Sequence, residues 1–307
     1  MPTRHLLAFR EIRGEESEAS MNVTDHKQID ALVSLLADED PKIHAMVVEH
    51  LLELGRNAMP HLRTAAEASD PRLRLRARNL MQRIVLDEVE AELADLSQLS
   101  DEEFDLERSC LVLVKLFDPD LPASAVTEPL DALAATISPR LQGVDLPIDQ
   151  VRIVNQVLYR EFGLTGNSRN YYDPENAFLH RVLERRTGIP VTLAAVHLLV
   201  AKRLGMPFFG VGLPSNFLVR YTGSGEEDIF IDPFLGGKLL TWRDCIQYLT
   251  SAGYYRHDAY ISHSTARDMI VRVLRHLMVV YQKQHDNTMS GRLGRFADLL
   301  QMRARTR

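Results

Sequence analysis

Apolar residues recur at helical spacing through the first third of the chain. A-L-V-S-L-L-A at 31–37 ends against Asp38 and the pair Asp40-Pro41, and P-K-I-H-A-M-V-V-E-H-L-L-E-L at 41–54 ends at Gly55. A third helix is expected from Ala58 to Ala68 and a fourth from Pro71 to Leu86. Ser100 and Glu103 form a capping-box pattern, which predicts a helix opening there and running to Leu116. Further helices are expected over 124–142, from Ile148 to Phe162 with Gly163 closing it, from Asn176 to Arg186, and from Val191 to Leu204 with Gly205 closing it. The period then changes from 3.6 to 2. F-F-G-V-G at 208–212, F-L-V-R-Y at 217–221 and I-F-I-D at 229–232 predict three short antiparallel strands. Helices return after Trp242, with one from Ala266 to Gln284 and a basic one over 290–303. The pattern is α+β, mostly helical, with a small antiparallel sheet. Residues 1–25 are polar and aperiodic and read as a flexible arm.

With 307 residues, the chain is long enough for more than one unit. Asp40-Pro41 and Asp70-Pro71 lie thirty positions apart (40 to 70), each an N-cap followed by proline at the first helical position. Helix pairs marked in this way resemble HEAT-type repeats, which gives a HEAT-like region over 26–95. One face of such a pair needs covering, by the next domain or by a partner. Arg72, Arg74, Arg76, Arg78 and Arg83 then make the fourth helix basic, and ten acids follow from Asp87 to Glu107 with no lysine or arginine between them. Together they read as solvated faces answered within the molecule rather than as a nucleic-acid stripe.

Charge adds little. The balance of 36 basic against 42 acidic residues gives −6, which offers no electrostatic case for nucleic acid or an anionic membrane. No apolar run approaches the roughly 18 residues of a membrane span. The start lacks the apolar core of a leader, so cytoplasmic residence is the expectation. Cys110 and Cys245 form neither a disulfide framework nor a zinc spacing and read as small buried residues. His180, His197, His257 and His263 show no metal-ligand spacing, and there is no phosphate-binding loop or dinucleotide fingerprint. No cofactor or metal is expected.

Three ordered motifs carry more. Y-Y-D-P-E-N-A-F-L-H-R-V-L-E-R-R-T-G-I-P at 171–190, V-G-L-P-S-N-F-L-V-R at 211–220 and I-D-P-F-L-G-G-K-L-L at 231–240 resemble the SirB-type family of bacterial transglutaminase-like proteins. The likeness places that domain over 96–250 and leaves C-terminal helices over 251–307, similar to a tetratricopeptide-like tail. The resemblance implies a papain-like core. A cysteine at a helix N-terminus would be paired with a histidine, and an acid on the neighbouring strand would orient the histidine.

Mapped onto this chain, two of those three positions lack their chemistry. Counting back fifteen from Gly205 puts Pro190 at the nucleophile position, where related sequences read G-x-C. Proline has neither a nucleophile nor an N–H, and it is simply a good helix starter. The histidine of P-G-H-F is Asn216 here, and an asparagine cannot act as a general base. Asp232 keeps the acid position, with an expected role in holding the strand end or the 234–237 turn. Thr192 is the nearest hydroxyl to the helix start and reads as a helix-start residue. Asn176, Glu184, Arg185, Thr192, Asn216, Phe217 and Asp232 are the candidate binding residues of the residual cleft. The expectation is a non-catalytic protein-interaction or regulatory module with a protein partner. The alternative is a cysteine-dependent hydrolase or acyltransferase whose nucleophile has moved, with Cys245 the first candidate.

Overall fold

The computed structural model describes residues 23–223, 228–255 and 260–302. The expected arm lies outside them up to residue 22, and the first helix already opens at Val23. Two compact units divide the chain at Glu88 and Val89.

The first unit holds α1 (Val23–Leu35), α2 (Pro41–Leu54), α3 (Met59–Ala65) and the start of α4 (Pro71–Ser97). The two Asp-Pro starts work as the pattern requires. Asp40 accepts from Lys42 N–H and Asp70 from Arg72 N–H, each at 2.8 Å. The fourth helix does not stop near Leu86 but continues to Ser97, because nothing in the acidic stretch breaks it. Its basic row turns inward on neighbouring helix ends. Arg76 donates to the carbonyls of Leu36 and Asp38 at 2.5 and 2.7 Å, and Arg74 to those of Ala68 and Ser69 at 2.7 and 2.9 Å. Arg78 reaches the Ala66 carbonyl, and Arg72 pairs with Glu39. The Leu36 and Ala66 carbonyls lie at the C-terminal ends of α1 and α3, where a cation is also favoured by the helix dipole, and those of Asp38, Ala68 and Ser69 lie in the turns that follow.

The second unit is α+β and mostly helical. It contains α5 (Leu106–Val114), α6 (Ser124–Ile137), α7 (Pro147–Asn155), α8 (Leu179–Arg185), α9 (Pro190–Arg203) and α10 (Trp242–Ser251), then helices Ala266–Lys283 and Asn287–Met302. The capping box at Ser100 forms, with Glu103 bonded to both Ser100 N–H and Oγ, but it closes a single turn. Asp105 takes over as N-cap, so α5 begins at Leu106 rather than at Ser100. The helix expected to run from Ile148 to Phe162 is split. After Asn155 it widens into a π-helical turn, Gln156–Glu161, and Gly163 closes it at φ +86°.

Among the described residues the main sheet has five strands instead of three: β3 (Phe208–Leu213), β4 (Asn216–Tyr221), β5 (Ile229–Asp232), β6 (Lys238–Leu240) and β7 (His263–Ser264). All neighbours are antiparallel, in the order β6-β5-β4-β3-β7. The added edge strands are too short to show a period in sequence. Elsewhere β1 (Thr165–Gly166) pairs in parallel with β2 (Thr187–Gly188).

Helix α9 is the centre of this unit. Leu193, Ala194, Val196 and Val200 are fully buried, and the helix is apolar all round rather than amphipathic. It packs against β3 and β4. On that face Gly210 and Gly212 leave the sheet bare, and the Phe217 ring fills the space over Gly210. On the other face Val211, Leu213, Leu218 and Phe230 form a cluster with Cys245 and Leu249 of α10. Acids of the 87–107 stretch find their cations within this unit: Glu92 meets Lys115, Glu107 meets Arg203, and Asp101 meets Arg267.

Candidate functional site

Pro190 and Asn216 begin the elements that the motifs pointed to, and Asp232 ends one. Pro190 is the first residue of α9, with Ile189 as an extended N-cap, and it is buried. Two residues on, the Thr192 hydroxyl donates to the Asn176 carbonyl at 2.7 Å. The same carbonyl accepts from Ile189 N–H at 3.3 Å. Asn176 is fully buried, and its amide is fully used. It donates to the carbonyl of Asn170 at 2.7 Å and faces that of Tyr171 at 3.3 Å, and it accepts from Asn167 Nδ2 at 3.0 Å. Asn176 and Thr192 therefore tie the 167–171 loop to the start of α9, which leaves neither free for a ligand.

Asn216 and Asp232 form a second, separate group. Asn216 Nδ2 donates to Asp232 Oδ2 at 3.0 Å, and Asn216 Oδ1 accepts from Phe217 N–H at 2.8 Å. The other carboxylate oxygen of Asp232 accepts from Phe234 and Leu235 N–H at 2.9 and 3.1 Å. Asp232 is only 3% exposed, and these neutral donors satisfy it. It holds the start of the 234–237 turn. At the end of that turn Gly237, at φ +77°, lies against the Tyr159 ring, where a Cβ would come within 2.2 Å. Among the described residues no hydrogen bond joins the Asn176–Thr192 group to the Asn216–Asp232 pair.

A cavity of about 410 Å³ opens beside the pair. Asn216, Asp232, Leu213, Leu218, Leu235, Leu240, Cys245 and Tyr248 are among its walls, with Lys238, Asp244, Gln247 and Ser251. That volume is within the range of small-molecule and side-chain pockets. Neither Pro190 nor Thr192 lines it. The remaining candidates are elsewhere. Arg185 is held by Asp173 at 2.8 Å and Glu175 at 2.9 Å, and Glu184 is held by Arg181. Phe217 is 1% exposed and belongs to the core.

The thiols and imidazoles do not make an obvious catalytic set. Cys245 does line the cavity, but burial, with the charges of Asp244 and Asp232, pushes its thiol up to about 12. Burial does the same to Cys110. A thiol in that range is not a nucleophile at neutral pH. His197 is buried 2.9 Å from the Tyr159 hydroxyl, and burial lowers it to about 3. His180 is buried among Phe117 and Phe178. His263 packs edge-on against Phe209, and His257 lies outside the described residues. No group of three metal-ligating side chains occurs among the described residues. None of the described helices is long and apolar enough to cross a membrane.

What sequence reasoning missed is Arg272. Its Nη2 donates to the carbonyls of Leu213 and Asn216 at 2.6 and 2.8 Å, clamping both ends of the β3–β4 turn. In sequence it is one of three arginines on an amphipathic helix, with nothing to set it apart.

Comparison with known proteins agrees with this frame. The sequence profile of the transglutaminase-like superfamily matches residues 124–275. A UPF0162 protein of Xylella fastidiosa is 31% identical over 192 residues, covering 61% of this chain and 68% of that protein. Another UPF0162 protein, from Vibrio cholerae, is 31% identical over 144 residues, 40% of this chain and 53% of its own length. F-box only protein 21 of Mus musculus is 33% identical over 168 residues, 51% of this chain but 27% of that protein. No solved structure gives a significant match.

Proposed function

We propose a binding rather than a catalytic role for this chain, which belongs to the UPF0162 family and carries a transglutaminase-like domain. In this reading it is a SirB-type, non-catalytic module that recognises a protein partner in the cytoplasm through the cavity beside Asn216 and Asp232. The supporting observation is the hydrogen bond from Asn216 to Asp232. It fills the place of a histidine–acid pair with an amide, which cannot act as a general base, beside an open cavity. A proline where the superfamily has its cysteine supports the same reading. The HEAT-like region over 26–95 and the tetratricopeptide-like tail over 251–307 would add surfaces of a kind that other proteins use for binding.

The test is affinity capture by the full chain from its native cytoplasm, with wild type against Asn216→Arg and Leu235→Arg. The first variant fills the cavity and offers Asp232 a cation. The second places a charge on a rim residue that is already 59% exposed, so folding is not at stake. A partner held by wild type and lost by both variants supports the reading; a partner held equally by all three refutes the cavity as its seat. The alternative of a relocated nucleophile rests on Cys245 lining the same cavity. A Cys110→Ser/Cys245→Ser chain that keeps every function removes that alternative.

A further inference from the structure

Buried and half-buried arginines in the second unit follow one rule, and Arg272 breaks it. Arg185 meets Asp173 at 2.8 Å, Arg203 meets Glu107 at 2.8 Å, Arg267 meets Asp101 at 2.7 Å, and Arg292 meets Glu90 at 3.2 Å. Arg181 and Arg220 likewise have Glu175 and Asp228. A guanidinium taken out of water is expensive unless it is paired, and these six are paired. Arg272 has no carboxylate partner among the described residues.

Its surroundings show what it does have. Two of its five N–H groups go to the Leu213 and Asn216 carbonyls through Nη2. The guanidinium lies 5.5 Å from the centre of the Phe217 ring, and Nη1 sits over Gly212, where an added Cβ would be 3.4 Å away. Nε and the hydrogens of Nη1 have no acceptor among the described residues. Burial lowers the Arg272 guanidinium, and the two groups that act against that are Tyr171 and Tyr248. The Tyr248 hydroxyl is already committed to the Pro214 carbonyl at 2.8 Å. The Tyr171 hydroxyl is not. Its ring is fixed edge-on by His276 at 5.3 Å and Phe234 at 6.0 Å. His276, one helical turn beyond Arg272, is neutral at physiological pH because burial lowers it, so among Arg272, Tyr171 and His276 the guanidinium is the one charge.

We propose that Arg272 is an oxyanion seat, in which its uncommitted N–H groups and the Tyr171 hydroxyl receive one carboxylate of a ligand. One positive charge with a neutral hydroxyl beside it matches a monoanion. A phosphate dianion would bring a second negative charge into a half-buried place with one guanidinium to meet it. Charge-assisted bonds from a planar guanidinium fit the two oxygens of a carboxylate. The seat is formed by residues other than the cavity walls, so its test does not need the protein partner of the proposed function.

The experiment is a titration of the full chain, labelled at arginine, with propionate and separately with inorganic phosphate at constant ionic strength. The readout is the Nε–Hε signal of Arg272, assigned from its loss in Arg272→Lys. Propionate should shift that signal saturably and more tightly than phosphate, and Tyr171→Phe should weaken propionate by about tenfold. No saturable shift, or a shift spread over exposed arginines alike, would overturn the proposal. Tighter binding of phosphate than of propionate would overturn the assignment to a carboxylate. If Arg272→Lys fails to fold, the wild-type signal assigned by through-bond correlation answers the same question.

Discussion

Exchanging Asn216 and Asp232 tests the central pair directly, because the pair has a direction. In Asp232→Asn the turn keeps an acceptor, since an amide oxygen can still receive Phe234 and Leu235 N–H. The side facing Asn216, however, becomes a second NH₂ group at 3.0 Å, donor against donor. Losing a bond to a charged group and stranding a donor costs about 2–3 kcal/mol. In Asn216→Asp two carboxylates meet at the same separation, and at neutral pH the cost is again about 3 kcal/mol, relieved on acidification as the two share a proton. The double exchange restores every bond. The carboxylate now at position 216 would accept from Phe217 N–H and from the new amide at position 232. That amide's oxygen would hold the turn, so the swap should cost about 1 kcal/mol. The implied coupling is about 4–5 kcal/mol, well beyond the additivity expected of independent sites. Urea unfolding can read it by the fluorescence of the single tryptophan. Trp242 opens α10 and lies 6.2 Å from Phe230 of the same sheet. Midpoints should move at constant slope. A swap as unstable as the sum of its single substitutions would mean that the Asn216 amide does not point as described.

Four further outcomes follow from the same structure. Ser215 sits at φ +57° in the β3–β4 turn, so Ser215→Gly should stabilise by about 0.5–1 kcal/mol, read as a higher urea midpoint. Gly237→Ala should destabilise by more than about 2 kcal/mol in the same assay, since its Cβ would strike the Tyr159 ring at a left-handed φ. Both thiols are held up near 12, so iodoacetamide at pH 8 should label neither Cys110 nor Cys245 until denaturant is added; mass spectrometry would show otherwise. His276 is lowered to about 4 by burial, so the unfolded chain binds its proton first. Its stabilising contribution is complete above pH 6.5 and is lost as the pH falls toward 4, at about 1.4 kcal/mol per pH unit, and His276→Gln should flatten that part of the pH–stability curve.

Local signals in the sequence located most elements, and the site was less legible. Asp40-Pro41, Asp70-Pro71, Gly163 and Gly205 mark helix ends because caps are chemistry within a few residues. The change of period after Gly205 marks the sheet for the same reason. Local signals fail where neighbours compete. The Ser100 box forms, yet Asp105 starts the helix, and α4 runs on through acids that lack a breaker. Strands β6 and β7 exist only through their partners. At the site, Asp232 and its turn were readable from I-D-P-F, and Asn216 from the motif around it. Nothing in sequence told the hydrogen bonds of Asn176 and Thr192 from those of Asn216 and Asp232, since motif order does not fix which partner a side chain finds. Arg272 was invisible because its carbonyl acceptors lie more than fifty residues away.

The arginines of α4 have a consequence for the conditions this protein tolerates. A surface laced with ion pairs loosens as ionic strength rises, because mobile ions screen each charge from its mate. Arg74 and Arg76 grip carbonyl oxygens at 2.5–2.9 Å, short hydrogen bonds with no paired carboxylate for mobile ions to shield. Within the first unit these fastenings should therefore depend less on salt than the Arg72–Glu39 and Arg56–Glu88 ion pairs do.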